Sequence, residues 1–424
     1  MGKVLVAHAY TQHSFRVVTA LKKHDMLFKY VTSVYNKDNS FLYRLITIFL
    51  SKSNKNRALK KKCSAISDNE VITMCSLLGL IALLLIRIDM KIWEKYTHFF
   101  SKVFQKKLAR YIIKHQSEID MVISYDLHSY YLFEEIKRKA PQIICVMDNA
   151  HPCRYYLHKV YNDIDSGPFY KTLGLEANGY IVNKDVAKHW GEELLKAQYH
   201  IVASSFSKKA AMYGGVPEDN IYVVPYGANK SIFTKNPNKN YNGTLKVLFV
   251  GSIHQRKGIY NILEAAKILN ETGKKVEFNL VGVGYANYPE LYDPYKKYVN
   301  FCGYVSLEEL VDLYANSHLF VFPTLGEGYG LVLLEAMSAG LPILATPNCG
   351  AADIIIENYN GILLQPGITN DLVNKINSLD MNRDRLKLLS LNAETSTCSF
   401  TWERYESLLI DAINDIFIKE NKQV

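Results

Sequence analysis

The sequence predicts an α/β protein with two doubly wound domains, each built on its own parallel sheet. Its 424 residues are twice or more the usual size of one domain. Hydrophobic residues make up 48% and charged residues 21% of the chain, which excludes a disordered chain and a small disulfide-stabilised protein. Short β-rich runs alternate with helical stretches, which is typical of parallel sheets with crossover helices.

The predicted strands fall into two groups, one in each half of the chain. The first half has five strand-like runs, at residues 4–7, 121–124, 143–147, 200–203 and 221–224. The second half has four, at residues 246–250, 276–281, 319–322 and 343–346. Each group is large enough to form a doubly wound sheet of its own.

The predicted domain boundary lies in residues 225–243, which are rich in Asn, Lys, Pro and Gly. We therefore predict an N-terminal domain over residues 1–225, a C-terminal domain over 226–400 and a C-terminal helix within 401–424. The helix is predicted because six apolar residues share one helical face. They are Leu408, Leu409, Ala412, Ile413, Ile416 and Phe417. This helix can pack on either domain, which includes crossing back to the N-terminal one.

Positive charge is concentrated at the N-terminal end. Residues 1–120 carry 21 Lys+Arg against 8 Asp+Glu, a balance of +13, whereas the rest of the chain has a balance of −4. Such a basic region is typical of a surface for phosphates, nucleic acid or an anionic membrane. The seven cysteines include no Cys-x-x-Cys pair, and the N-terminus lacks a signal-peptide pattern. These features favour reduced thiols and a cytoplasmic location.

An apolar run at residues 71–86 follows two further apolar stretches, 41–43 and 46–50, and a Lys/Arg cluster at 52–62. Its 16 residues are fewer than the roughly 20 that a helix needs to span the hydrocarbon core. Apolar stretches beside basic residues are typical of an anchor on an anionic membrane face. We therefore expect peripheral attachment to the inner face of the membrane. The alternative is a buried helix beside a solvated basic loop.

The most informative segment, residues 322–342, contains a glycine-rich turn. Gly326, Gly328 and Gly330 follow a predicted strand and precede a helix predicted over 331–339. Glycines at a helix N-terminus leave backbone N–H groups uncovered, where partial positive charge favours phosphate or sugar oxygens. This turn is therefore a candidate ligand site.

Two glutamates accompany the glycines. Glu327 and Glu335 are eight positions apart, a separation of about 12 Å if both lie along one helix. One carboxylate could then hold each end of a nucleotide sugar, because carboxylates accept paired hydrogen bonds from vicinal hydroxyls. The alternative is an exposed helix with two solvated glutamates.

A second candidate turn covers residues 251–258, between a predicted strand and an amphipathic helix. It contains Arg256 and Lys257. Two cations at a strand-to-helix turn can neutralise a leaving diphosphate. Gly282 and Gly284 follow the next strand, where bare backbone could approach a nucleotide.

With these motifs, residues 199–364 resemble the retaining, nucleotide-sugar-dependent glycosyltransferases of the family-4 type. Such enzymes have the GT-B fold, two Rossmann-like domains facing across a cleft. Glu327 and Glu335 meet the family's pattern of two glutamates separated by seven residues. Residues 221–227 are similar to its interdomain strand and linker, and residues 301–305 to its base-binding strand and turn.

The resemblance implies a role for each matching position. Glu327 would contact the donor sugar and Glu335 the ribose, while Arg256 and Lys257 would hold the diphosphate without a metal ion. No Asp-x-Asp motif is placed to bind a metal. The implied catalytic residues are Glu327, His151, Lys257 and Arg256. The implied donor-binding residues are Gly251, Ser252, Arg256, Lys257, Gly282, Gly284, Gly303, Tyr304, Val305, Glu327, Gly328, Tyr329, Gly330, Leu331 and Glu335.

The chain also departs from the family pattern. Ser252 stands where many relatives have Arg, so Arg256 would carry more of the phosphate binding. Residues 8–13 lack the glycines usual after the first strand, and Asp353 stands at a position that is usually Glu. His151 follows a predicted strand and is the candidate for a histidine that contacts the donor sugar. Its alternative is a capping or packing role.

The sequence therefore predicts a retaining glycosyltransferase of the hexosyltransferase type, using a UDP-linked, GDP-linked or similar donor. The expected acceptor is a glycan or a lipid-linked hydroxyl in cell-surface polysaccharide or glycolipid assembly, and no nucleic-acid partner is expected. One alternative is a nucleotide-sugar epimerase of GT-B shape, which would need an acid–base pair that is not evident. Another is a non-catalytic membrane-associated scaffold, which would not explain Glu327 and Glu335. The sugar, nucleotide, acceptor, linkage and oligomeric state are left open.

Overall fold

The chain folds around two parallel sheets, one in each half. The computed structural model describes residues 2–11, 13–37, 61–86, 88, 90–175, 191–228 and 232–422. In each sheet the strands run parallel to one another. The predicted class, two Rossmann-like α/β domains, is confirmed.

The first sheet has seven strands in the order β3-β2-β1-β4-β5-β6-β7. Strands β1, β4 and β5 are buried along their whole length, as expected for a parallel sheet packed on both faces. The strands are β1 Val4–His8, β2 Leu27–Thr32, β3 Val71–Thr73, β4 Met121–Tyr125, β5 Ile144–Asn149, β6 Tyr199–Val202 and β7 Ile221–Val223. The helices are α1 Ser14–Lys23, α2 Ser76–Leu85, α3 Met90–Lys114, α4 Tyr130–Lys139, α5 Arg154–Asn162 and α6 Ser205–Tyr213.

The second sheet has six strands in the order β10-β9-β8-β11-β12-β13. The strands are β8 Leu245–Val250, β9 Val276–Val281, β10 Asn300–Gly303, β11 Leu319–Phe322, β12 Ile343–Ala345 and β13 Gly361–Leu363. The helices are α7 Ile259–Glu271, α8 Pro289–Tyr292, α9 Leu307–Asn316, α10 Leu331–Ser338, α11 Ala351–Ile354, α12 Thr369–Met381, α13 Arg383–Ser396 and α14 Trp402–Lys419. The strand order reverses between β8 and β11, and ligands bind at such a point in open α/β sheets.

The last helix, α14, lies within the predicted range 401–424 and crosses back to the first sheet. Its Leu409, Ile413 and Phe417 are fully buried and share a core with Val4 and Val6 of β1. The apolar face of α14 therefore packs on the N-terminal domain.

Two of the places where the described chain passes between the domains are neighbours. The first passage follows β7 and the second precedes α14. They are in contact, since the Ala228 N–H donates to the Phe400 carbonyl at 2.9 Å. A Cβ added to Gly227 would lie only 2.4 Å from the backbone of Thr401 and Trp402. The two passages therefore run side by side.

Residues 71–86 form two elements. Residues 71–73 are the edge strand β3, and residues 76–85 form α2, of which Gly79 and Ala82 are buried. Leu77 and Leu84 are 58% and 45% exposed, so α2 is not the buried helix of the alternative interpretation. Within the described ranges, none of the helices combines the length and apolar character needed to cross a membrane. Residues 41–43, 46–50 and 52–60 lie outside the described residues.

Candidate active site

The carboxyl ends of four neighbouring strands bring the predicted donor-binding residues to one edge of the second sheet. In spatial order the loops are 303–305, 282–284, 251–257 and 323–330, after β10, β9, β8 and β11. Adjacent strands lie about 4.8 Å apart, so the row is about 14 Å long. This is comparable to the distance from the base to the sugar of an extended nucleotide sugar.

Glycines allow these loops to approach one another closely. The Gly251 N–H donates to the Val281 carbonyl and the Gly282 N–H to the Gly303 carbonyl, both at 2.9 Å. A Cβ on Gly282 would lie 1.8 Å from the Gly251 oxygen, and one on Gly284 would lie 2.5 Å from the Ile253 oxygen. Packing alone therefore requires glycine at positions 282 and 284.

At the point of strand-order reversal, Glu327 binds both Arg256 and Lys257. Arg256 Nη1 donates to Glu327 Oε2 and to the Gly326 carbonyl, both at 2.7 Å. Lys257 Nζ donates to the same Oε2 and lies 5.1 Å from the centre of the Phe322 ring. The side chain of Arg256 is 10% exposed, that of Lys257 12% and that of Glu327 19%. The structure thus holds a largely buried cluster with one positive charge in excess.

Backbone hydrogen bonds fix the two turns against each other. The Arg256 carbonyl accepts from the Leu325 N–H at 2.7 Å and from Thr324 Oγ1 at 3.0 Å. Gly258, with φ of +73°, lies so close to Pro323 that an added Cβ would be 2.0 Å from its oxygen. The cations and Glu327 are therefore set by the packing of the turns.

Glu327 and Glu335 do not lie on one helix, which corrects the expected spacing along a helix. Glu327 is in the turn, where its N–H donates to the Asn348 carbonyl at 2.9 Å. Helix α10 begins only at Leu331, after Gly330 takes a left-handed φ of +90°. The helical rise therefore applies only from residue 331 onward.

Glu335 is half-buried on α10 and accepts a hydrogen bond from the Tyr314 hydroxyl at 3.0 Å. Burial raises the pKa of Glu335, and the bond from Tyr314 opposes that shift without cancelling it. The charged carboxylate is thus under-solvated in the ligand-free protein. Hydroxyl donors from a ligand would stabilise it.

Gly328 faces the N-terminal domain. A Cβ at this position would lie 2.1 Å from the Ala150 oxygen. The Gly328 carbonyl accepts from Ser204 Oγ at 2.6 Å and from Ser207 Oγ at 3.1 Å. In a further contact between the two domains, Asp353 Oδ2 accepts a hydrogen bond from the Ser205 N–H at 2.8 Å. The glycine-rich turn is therefore part of the contact between domains as well as of the candidate donor site.

Tyr329 is 2% exposed, and its hydroxyl donates to the carbonyl of the linker residue Tyr226 at 3.1 Å. Its side chain is therefore used for packing. Leu331 is 41% exposed at the first position of α10. In the same first turn, the Leu333 N–H donates to the Gly330 carbonyl at 2.9 Å and is therefore already used within the turn.

His151 stands opposite the glycine-rich turn, next to Ala150. Its Nδ1 lies 2.7 Å from Asp126 Oδ2, and the Ala150 N–H donates to Asp126 Oδ1 at 3.2 Å. Burial by itself raises the pKa of Asp126, but His151, Arg154 and the Ala150 N–H outweigh it and lower the pKa overall. Asp126 was not among the predicted residues, although it directly follows β4 at the same edge of the sheet. The His151 side chain is 40% exposed.

Two other histidines lie at this edge of the first sheet. His13 Nε2 lies 2.8 Å from Asp148 Oδ2, and the Tyr226 hydroxyl lies 3.2 Å from His13 Nδ1. His128 hydrogen-bonds Ser101 Oγ at 2.8 Å, and burial lowers its pKa to about 4. His128 is therefore a neutral, packed side chain at pH 7.

Of the remaining predicted positions, Gly303, Tyr304 and Val305 lie at the outer end of the row, and Ser252 lies in the loop after β8. Gly303 closes β10, and Tyr304 follows it with 74% of its surface exposed. Val305 and Ser252 are partly buried, and the Ser252 carbonyl accepts from the His254 N–H at 3.1 Å. Across the described parts of the chain, no three His, Cys, Asp or Glu side chains are grouped as metal ligands would be.

Comparison with known proteins identifies part of the chain. Residues 244–382 match the family model described as glycosyl transferases group 1. The chain is 30% identical over 193 residues to an uncharacterized glycosyltransferase of Methanocaldococcus jannaschii, covering 43% of this chain and 50% of that protein. It is 24% identical over 239 residues to the lipopolysaccharide 1,2-N-acetylglucosaminetransferase of Salmonella typhimurium, covering 52% and 62%. The chain thus spans half to three-fifths of these relatives.

Solved structures resemble the whole chain. The apo form of the lipopolysaccharide outer core galactosyltransferase WaaB matches with a TM-score of 0.63 and 17% identity, covering 98% of this chain and 99% of that one. Anabaena HepE in complex with UDP matches with a TM-score of 0.62 and 16% identity, covering 98% and 100%. The chain therefore has the GT-B fold of glycosyltransferases. Its residues 244–382 are similar to the glycosyl transferases group 1 family.

Proposed function

We propose that this protein is a retaining glycosyltransferase that moves a sugar from a nucleotide sugar to an acceptor hydroxyl in polysaccharide or glycolipid assembly. The observation that carries this proposal is the cluster of Arg256, Lys257 and Glu327 at the strand-order reversal, with His151 opposite. The group 1 match over residues 244–382 supports the reaction class. Relatives named for lipopolysaccharide and capsular polysaccharide synthesis support the acceptor class.

In this proposal the donor lies along the row of loops. Its base contacts residues 303–305, and its ribose contacts Glu335. Its diphosphate binds Arg256 and Lys257, and its sugar contacts Glu327. The ion cluster supports this order, because a diphosphate would compete with Glu327 for the two cations. Glu327 would then be released to accept hydrogen bonds from sugar hydroxyls. The ligand-free cluster keeps both cations in place until the donor arrives.

The proposed reaction needs no covalent intermediate on the protein. The bond from the anomeric carbon to the distal phosphate oxygen breaks, and the acceptor oxygen bonds to that carbon on the same face. The acceptor proton passes to the released phosphate oxygen. Arg256, Lys257 and the N-terminus of α10 stabilise the charge that develops on the diphosphate. These groups also make a metal ion unnecessary in the proposal.

We further propose that the N-terminal domain rests on an anionic membrane surface. Helix α2 packs against α3, and both helices and their connection carry exposed apolar side chains. These are Leu77, Leu84, Ile86, Ile88, Ile92 and Phe99. Exposed lysines lie further along α3, at Lys102, Lys106 and Lys107. Apolar contact beside basic charge supports attachment to a lipid surface that carries the acceptor.

Thermal unfolding with a panel of UDP- and GDP-linked sugars tests the donor proposal. At a concentration 100 times its Kd, the true donor is expected to stabilise the folded protein by about 2.7 kcal/mol. Transfer and donor hydrolysis are expected to fall by about 100-fold or more in Glu327→Ala and Lys257→Ala. Both activities are expected to persist in EDTA. Lys387→Ala, which removes an exposed lysine remote from the cluster, is the matched control.

Two results would contradict the proposal. One is that no nucleotide sugar stabilises or is hydrolysed by the wild-type protein. The other is that Glu327→Ala and Lys257→Ala transfer sugar as fast as Lys387→Ala. Release of an isomerised nucleotide sugar in place of a glycoside would favour the epimerase alternative.

A further inference from the structure

Residues 163–175, which we call the strap, follow α5 of the N-terminal half but pack on the C-terminal domain. Phe169 is 1% exposed and lies in the core of the second sheet. Its ring centre is 5.3 Å from that of Tyr260 and 5.5 Å from that of Tyr292. Ile164 packs so closely on Gly367 that an added Cβ there would lie 2.5 Å from Ile164 Cγ2. The strap is therefore an N-terminal segment anchored in the other domain.

The strap binds directly to the turn that carries the two cations. Thr172 Oγ1 accepts from the Gln255 N–H at 2.8 Å and donates to the Phe169 carbonyl at 2.8 Å. Gln255 Nε2 donates to Ser166 Oγ at 3.2 Å. Thr172 and Gln255 are fully buried and Ser166 nearly so. These bonds therefore form out of contact with water, where an unmade hydrogen bond is costly.

Gln255 is also held on its other side. Its Oε1 accepts from the Tyr260 N–H at 3.0 Å, in the first turn of α7. Gln255 is thus fixed by the strap through its backbone N–H and side-chain amide nitrogen, and by α7 through its amide oxygen. Arg256 and Lys257 follow it in the chain, so their starting positions depend on these three bonds.

We propose that Thr172 and Ser166 are positioning residues for the phosphate-binding turn. Through Gln255 they hold Arg256 and Lys257 where a diphosphate can contact both cations, without touching the donor themselves. This inference rests on the proposed function. It also means that the N-terminal domain contributes to donor binding, because the strap is continuous with α5. Small displacements of such charges are costly, since a 1 Å error in positioning can reduce a rate by about 100-fold.

Matched threonine variants test this inference. Thr172→Val is nearly isosteric but leaves the Gln255 N–H buried without an acceptor. It is expected to weaken UDP or GDP binding by about tenfold, while binding of the corresponding nucleoside changes by about twofold or less. Thr172→Ser keeps the hydroxyl and is expected to restore the wild-type ratio of the two affinities. Thr272→Val, an exposed threonine at the end of α7, is the control.

Amide hydrogen exchange supplies a readout that needs no ligand. In the ligand-free protein, Thr172→Val is expected to speed exchange in a peptide covering residues 251–262, whereas Thr172→Ser and Thr272→Val are not. Ser166→Ala is expected to have a smaller effect of the same kind, and serves if Thr172→Val does not fold. If the wild-type protein binds no nucleoside diphosphate, the proposed function fails, while the exchange data still decide the inference.

The inference is overturned if the Thr172→Val protein, or Ser166→Ala in its place, shows wild-type exchange over residues 251–262. It is also overturned if the variant weakens the nucleoside diphosphate and the nucleoside by the same factor. That second result would mean that the strap supports the domain as a whole and does not set the two cations.

Discussion

At the scale of single residues, Glu335 combines a candidate ligand contact with a perturbed titration. Burial raises its pKa above the ordinary value of 4.5, against the smaller effect of Tyr314. The folded protein therefore holds its proton to higher pH than the unfolded chain does. As pH rises from 4.5 through the raised pKa, ionisation of Glu335 destabilises the ligand-free fold.

Replacing Glu335 with Gln tests both properties. The free energy of unfolding of the wild-type protein, minus that of Glu335→Gln, is expected to fall as pH rises through this window. Urea unfolding of both proteins at a series of pH values measures this difference in unfolding free energy. Donor affinity is expected to fall by about tenfold or more at pH 7, because a charge-assisted hydrogen bond contributes about 1.5–3 kcal/mol. A difference in unfolding free energy that does not change with pH would contradict the raised pKa of Glu335. Unchanged donor affinity would contradict its role in donor binding.

Single residues also show which parts of the candidate site could be predicted from the sequence. Arg256 and Glu327 are 71 positions apart, yet both follow strands that could be recognised as apolar runs. Their contact follows from β8 and β11 being neighbours in the sheet. Asp126 and Thr172 were not identified. Asp126 carries the detectable signal of an acid at a strand end, whereas Thr172 acts through Gln255, a contact over 83 positions that no local pattern encodes.

At the scale of elements, most interior strands were predicted, and three of the four missed strands lie at a sheet edge. All nine predicted strands are present, with ends that differ by at most two residues. The strand pattern did not identify β2, β3, β10 or β13, and residues 301–305 were assigned a strand and turn only through the family resemblance. Lys29 interrupts the apolar run of β2, and β3 and β13 have three residues each at the sheet edges. Short edge strands owe their pairing to the neighbouring strand, so their own composition is a weak signal.

The contact of the glycine-rich turn with the N-terminal domain leads to a prediction about Gly328. In Gly328→Ala the new methyl group would collide with the Ala150 carbonyl and force the two domains apart. We expect a loss of about 1–3 kcal/mol of stability and a fall in transfer of about tenfold or more. Thermal unfolding and initial rates measure these effects.

Gly243→Ala is the control for this change, because nothing lies within 4 Å of an added Cβ there. Equal stability and activity of the two alanine variants would show that the contact between Gly328 and Ala150 is unimportant.

At the scale of the whole molecule, the exposed apolar region of α2 and α3 predicts lipid binding. Sedimentation with vesicles is expected to show stronger binding to anionic than to zwitterionic lipid, because each basic residue near an anionic surface contributes about 1 kcal/mol. The double variant Leu77→Ser, Leu84→Ser is expected to reduce binding by about tenfold or more, since burying one leucine contributes about 1.5–3 kcal/mol.

Leu388 and Leu391 provide a matched control on α13, with 58% and 53% exposure. The double variant Leu388→Ser, Leu391→Ser is expected to bind vesicles as the wild-type protein does. Equal binding by both double variants would remove the apolar part of the proposal, and indifference to lipid charge would remove the electrostatic part.

The side-by-side passages at Gly227 and Thr401 have a mechanical consequence. They join the two domains at one place, and the strap joins them at another through Thr172 and Gln255. Two separate connections restrain sliding and twisting of one domain against the other, so Ala150 stays against Gly328 with His151 beside it. A reaction that needs donor and acceptor atoms in fixed register can thus be repeated through many cycles without a separate alignment step.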